Sequence, residues 1–102
     1  MKQYIISKKA TEDLERIWRY TYFRWSEKQA DKYYNLLIEK IIFIAQNATA
    51  GRKIDDIKKG YRCFPVESHN IFYKISKDGL VTIIRILHQQ MDIPNQLKEY
   101  GH

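Results

Sequence analysis

The feature that most constrains this chain is a pair of amphipathic stripes with almost nothing between them. From Ala10 the apolar positions run Ala10, Leu14, Ile17, Trp18, Thr21, Tyr22 and Trp25, a spacing that lies on one face of an α-helix. The other face carries Glu12, Asp13, Arg16, Arg19 and Arg24. Ser26 restarts the pattern: its hydroxyl suits a helix N-cap, and Gln29 three residues on completes a capping box. The second stripe is Ala30, Tyr33, Tyr34, Leu37, Ile38, Ile41, Ile44 and Ala45, ending near Asn47 ahead of Gly51. Helices joined so tightly must fold back as a hairpin, and both stripes then need one shared apolar surface to cover.

The remainder of the chain supplies that surface. Tyr4, Ile5 and Ile6 are β-prone, and Ser7 is placed to cap the first helix. After a polar connector over residues 48–60, a loop with helical leanings at best, the stretches 61–66, 70–76 and 80–88 are rich in β-branched and aromatic residues. Lys77-Asp78-Gly79 is hairpin-turn chemistry. The last stretch, Val81 to Leu87, is apolar on both faces for most of its length, the mark of a central strand covered from two sides. Asp92 with Pro94 suggests the start of a short terminal helix. The expected fold is α+β, in the order β-α-α-β-β-β with a short helix or tail, the hairpin packed on a twisted antiparallel sheet, and residues 1–102 forming one domain.

Composition narrows the functional class. At 44% hydrophobic and 29% charged residues, the 102-residue chain has the balance of a folded domain and not of a disordered segment. One cysteine, Cys63, excludes an internal disulfide and fits a reducing compartment; with no helix N-terminus or evident base beside it, it reads as a small buried hydrophobe. No stretch has the length of a signal peptide's apolar region or of a membrane span, so the expected location is the cytoplasm. The net charge of +6 is spread evenly, with nine Lys/Arg against six Asp/Glu in each half. A diffuse positive field suits an acidic protein or a nucleic-acid surface, without deciding between them.

Gly60-Tyr61-Arg62, His69-Asn70-Ile71-Phe72-Tyr73, and Arg85-Ile86-Leu87-His88 followed by Met91-Asp92 resemble the recurring blocks of ParE-type toxins of the RelE/ParE superfamily. Upstream, Ala10, Asp13-Leu14, Ile17-Trp18, Trp25, Gln29-Ala30 and Tyr33 resemble that family's helical hairpin, and Gly51-Arg52 its approach to the sheet. The resemblance covers nearly the whole chain. It implies a toxin of a type II toxin–antitoxin system, neutralised by a ParD-like antitoxin that is acidic and folds on binding. Relatives of this kind act on DNA gyrase without covalent chemistry, whereas RelE-like relatives cleave messenger RNA on the ribosome. A homologue that has lost activity and persists as a binding module is a third reading.

Metal-free RNA cleavage needs a base for the 2′-hydroxyl, a cation for the crowded phosphate and an acid for the leaving oxygen. Arg62, Glu67, Arg85 and His88 are the candidates for that chemistry, with His69 a second proton shuttle. The position after His69 is Asn70, where RNA-cleaving relatives commonly carry arginine, so the gyrase reading is preferred. No metal or cofactor is implied. The expected target-binding end comprises Arg62, His69, Arg85, His88, Met91 and Asp92. Arg85, in an apolar strand, must either emerge at a groove or find a buried partner, for which Asp92 and Glu67 are the candidates. The aromatic residues Trp18, Tyr22, Trp25, Tyr34, Tyr61 and Tyr73 read first as packing, and any left exposed would suit an antitoxin helix.

Overall fold

The computed structural model describes residues 4–90 and Leu97. Strand β1 (Tyr4–Ile6) leads through Ser7 into helix α1 (Lys8–Arg24). The Ser7 side chain accepts from the Ala10 amide and donates to the Ile84 carbonyl at 2.8 Å, so one hydroxyl both caps the helix and ties it to the sheet. Ser26 caps α2 (Glu27–Gln46) by accepting from the Gln29 amide. The hairpin turn therefore falls at Trp25 and Ser26, where the sequence places it.

Strands β3 (Tyr61–Val66), β4 (His69–Ile75) and β5 (Val81–His88) form an antiparallel meander. A further short strand, β2 (Arg52–Lys53), pairs with β3 inside the stretch read from sequence as loop; two residues are too few to show a period. The sheet order is β1-β5-β4-β3-β2. It is mixed and not purely antiparallel, because β1 lies parallel to β5, with Tyr4 opposite Val81. The intervening hairpin and meander supply the long connection that a parallel pair requires.

Each face of the sheet has its own core. Ala10 and Leu14 of α1 and Leu37, Ile41 and Ile44 of α2 pack on Val66, Ile71, Tyr73, Val81, Ile83 and Ile86. On the far face Ile54, Tyr61, Cys63, Phe72, Ile84, Leu87 and Leu97 form a second cluster. Strand β5 feeds both, as its two-faced apolar run requires. Its register shifts by one residue opposite Phe72 and Tyr73, which pair with Arg85 and Ile83. The expected terminal helix at Asp92 and Pro94 lies outside the described residues.

Helix α1 departs from the simple stripe in two ways. Asp13, assigned from sequence to the polar face, is buried. At the other end Tyr22 is 40% exposed and Trp25 71%, so the hairpin core does not extend to its tip. Beyond the first turns the α1 rings pack on one another instead of on the sheet, Tyr22 stacking on Trp18 and meeting Phe23 edge to face.

Candidate functional site

Asp13 and Arg85 meet under the hairpin. The guanidinium Nε donates to Asp13 Oδ2 at 2.8 Å and Nη2 to Oδ1 at 3.0 Å, while the Ile86 amide donates to Oδ2 at 3.0 Å. Arg16 adds a contact to Oδ1 at 2.9 Å. The bidentate geometry satisfies both charges, which an interior of low dielectric demands. Burial alone would push the Asp13 carboxyl up, but the hydrogen bonds from Arg85, Ile86 and Arg16 outweigh it and hold it below the usual range. The buried partner of Arg85 is therefore Asp13, which the sequence reading did not name; of the two expected residues, Glu67 is exposed in the β3–β4 turn, and Asp92 lies outside the described residues.

Three residues further along β5, His88 pairs across the sheet with His69 at the start of β4, and the rings meet edge to face with centroids 5.3 Å apart. The Tyr33 hydroxyl of α2 lies 2.7 Å from His69 Nδ1. Burial, then the neighbouring His88, depresses His69 to about 4, against a smaller opposing effect of Asp13. A neutral imidazole follows at pH 7, with Nδ1 facing a Tyr33 hydroxyl that also reaches the Val66 carbonyl at 3.3 Å. His88 Nδ1 accepts from the Gln90 amide at 3.1 Å. Burial likewise raises the Tyr33 phenol. Both histidines open into a groove of about 610 Å³ between the sheet end and the hairpin tip, walled by Tyr20, Arg24, Trp25 and Gln29.

Arg62 lies elsewhere. It donates to the Gly51 carbonyl at 2.7 Å, bracing the approach to β2. The register places it four residues along β3 from Val66, which pairs with His69, a displacement of roughly 13 Å at the usual strand rise. Nearby, the Tyr73 hydroxyl accepts from the Gly51 amide and donates to the Ala48 carbonyl, both at 2.8 Å. Gly51 is required there, because a Cβ would stand 2.5 Å from that hydroxyl oxygen. Tyr73 and Tyr61 are buried, so neither offers a ring to a partner at the surface. Cys63 is buried too, and burial raises its thiol.

The sequence-derived candidates thus divide. The structure brings together His69 and His88, with Trp25 beside them and Tyr33 as an orienting group; it places Arg85 in a structural pair, Arg62 at the opposite end of its strand, and Glu67 on an exposed turn at a left-handed φ of 51°. Met91 and Asp92 lie outside the described residues. Trp18, hydrogen-bonded to Asp31, stacks on Tyr22, and with Tyr34 it forms an aromatic patch on the outside of the hairpin. Asp13 was detectable in the sequence: at about 100° per residue it falls roughly 40° from Ile17, at the margin of the apolar arc. Arg24 and Gln29, which wall the groove, read from sequence only as a polar-face residue and a capping-box residue.

Fold and groove together define a class: a small α+β domain whose helical hairpin covers one face of a mixed sheet and leaves a recessed, histidine-lined groove at its tip. The family described as ParE toxin of the type II toxin-antitoxin system parDE matches residues 4–93. Toxin ParE1 of Mycobacterium tuberculosis is 39% identical over 93% of this chain and 97% of its own length. Toxin ParE1 of Caulobacter vibrioides is 38% identical over 90% of this chain and 94% of its own. A solved structure described as a chromosomal ParDE TA system from P. aeruginosa superposes with a TM-score of 0.76 over 86% of this chain and 96% of that one, at 22% identity, which establishes the common fold. The chain belongs to the ParE toxin family of type II toxin–antitoxin systems.

Proposed function

We propose that this toxin acts in the cytoplasm by binding DNA gyrase and blocking its DNA cleavage and rejoining cycle, and that a ParD-like antitoxin, acidic and folding as it binds, neutralises it. The observation that carries the gyrase reading is the engagement of the two strand arginines. Stabilising a phosphorane needs a cation free to face the reacting oxygens. Arg85 is held by Asp13 and Arg62 by the Gly51 carbonyl, so neither strand arginine is free to serve the histidine groove, whose bordering arginine is Arg24 of the hairpin. A neutral His69 beside His88 suits recognition through hydrogen bonds and ring contacts. The antitoxin reading is supported by the aromatic patch of half-buried Trp18 with exposed Tyr22 and Tyr34, which offers rings to an amphipathic helix, and by the +6 charge.

Purified toxin added to gyrase with relaxed or supercoiled plasmid is expected to inhibit supercoiling or trap double-strand breaks, and a stoichiometric antitoxin should relieve the effect. Unimpaired gyrase in the presence of a folded, growth-arresting toxin would reject this target and point to ribosome-bound RNA.

A further inference from the structure

The exposed side of α1 carries a second pattern, which the histidine groove shares in part, at Tyr20 and Arg24. Arg16, Arg19, Tyr20, Phe23 and Arg24 follow at offsets of three, four, seven and eight residues, so they share one face of the helix, and together they line an open hollow of about 450 Å³. Tyr20 is 64% exposed and Phe23 78%. Two rings held in water between three guanidinium groups mark an interaction surface and not a packing remnant. The arginines are only lightly engaged: Arg19 reaches Glu15 at 3.9 Å between exposed side chains, and Arg16 touches the edge of Asp13 while its own side chain stays 64% exposed. The Arg19 contact, between exposed groups, is weak and exchangeable, and Arg16 uses one of its five donors on Asp13.

The chemistry of this stripe selects its occupant. Unlike the hollow at Trp18 and Tyr34, which Glu15 and Asp31 also line, this stripe interrupts its rings with three arginines and has no acid among its lining residues, so it suits a polyanion and not the apolar face of a helix. Flat rings alternating with planar cations instead match unstacked bases alternating with phosphates. The stripe rises about 12 Å along the helix from Arg16 to Arg24, enough for a few nucleotides. It also continues past its own end, since Tyr20 and Arg24 line the histidine groove as well. We propose that α1 binds single-stranded nucleic acid along this face, with Tyr20 and Phe23 stacking on bases, Arg16, Arg19 and Arg24 on phosphates, and the strand directed toward the groove of His69 and His88. The inference does not depend on which enzyme the toxin poisons.

The test is fluorescence anisotropy of labelled dT20 and rU20 with the purified toxin, against a 20-base-pair duplex and poly-glutamate. Both single strands should bind, more tightly than the duplex or the polypeptide. Tyr20→Ala/Phe23→Ala should weaken binding about tenfold or more. Arg19→Ala/Arg24→Ala should lower the slope of log affinity against log salt by roughly 1.4. All four positions are exposed, and circular dichroism verifies the fold of each variant. Ring variants that bind like the parent, or equal affinity for poly-glutamate or duplex, would overturn the proposal. No measurable binding of either strand at low salt would overturn it as well.

Discussion

Arg85 and His88 stand three residues apart on one strand, carried by the same sequence block, and the fold gives them opposite circumstances. Arg85 points beneath the first turns of α1, where it donates to the buried Asp13 carboxylate, which also accepts from the Ile86 amide. His88 reaches the end of the sheet, beyond the cover of the hairpin core, and borders a groove with His69. The contrast separates two uses of a polar residue in an apolar strand. One is a fully partnered charge whose removal endangers the fold; the other is a group the fold can spare, available to a partner.

The sharpest way to break that division is to remove one half of the buried pair. Asp13→Ala leaves Arg85 buried without its carboxylate and the Ile86 amide without its acceptor, an expected loss of about 3–5 kcal/mol by chemical denaturation. A loss under about 1 kcal/mol would show that Arg85 escapes to solvent and belongs with the groove. For the same reason, joint replacement of Arg85 and His88 by alanine confounds folding with function, and single variants are needed.

The second contrast is one of pH. His69 titrates near 4 in the folded chain against about 6.5 when unfolded, so between those values the unfolded chain binds more protons. Its contribution is intact above pH 6.5, declines as pH falls, and reaches a loss on the order of 3 kcal/mol once pH is below 4. The depressed Asp13 adds its own loss only at still lower pH, below about 3.8, as the ion pair is protonated. Urea titrations from pH 7 to 4 should therefore show a slope that His69→Gln removes; an unchanged slope in that variant would show that the loss does not come from His69. Tyr33→Phe, which removes the hydroxyl 2.7 Å from His69, should cost about 1 kcal/mol. Smallest of all is His88→Ala, expected to change stability by about 0.5 kcal/mol or less while reducing toxicity. A variant that is folded and fully toxic would remove His88 from the target surface.

Much of this architecture was legible in the residues. The two stripes, Ser7 and Ser26 as caps, and the strand at 61–66 are where local physics predicts them, because period and capping depend on neighbours in sequence. What escaped was long-range. The parallel docking of β1 on β5 joins residues 77 apart, as in Tyr4 with Val81, and no local pattern encodes it. The Asp13 partner of Arg85 is 72 residues away, while the nearer acids Glu67 and Asp92 drew the expectation. The site was half visible: His69 and His88 carried the family resemblance, but Tyr33 had been absorbed into an apolar stripe, and its role emerges only when α2 lies over the start of β4.

The central claim is that Arg85 builds the fold while the groove, not that charge, engages the target. Replacing the ion pair by a neutral hydrogen-bonding pair, Asp13→Asn/Arg85→Gln, tests it most directly, with growth arrest on expression scored beside the thermal unfolding of the purified protein. The prediction is a folded toxin, altered in stability, that still arrests growth. A stably folded double variant without toxicity would contradict it and make Arg85 part of the toxic site.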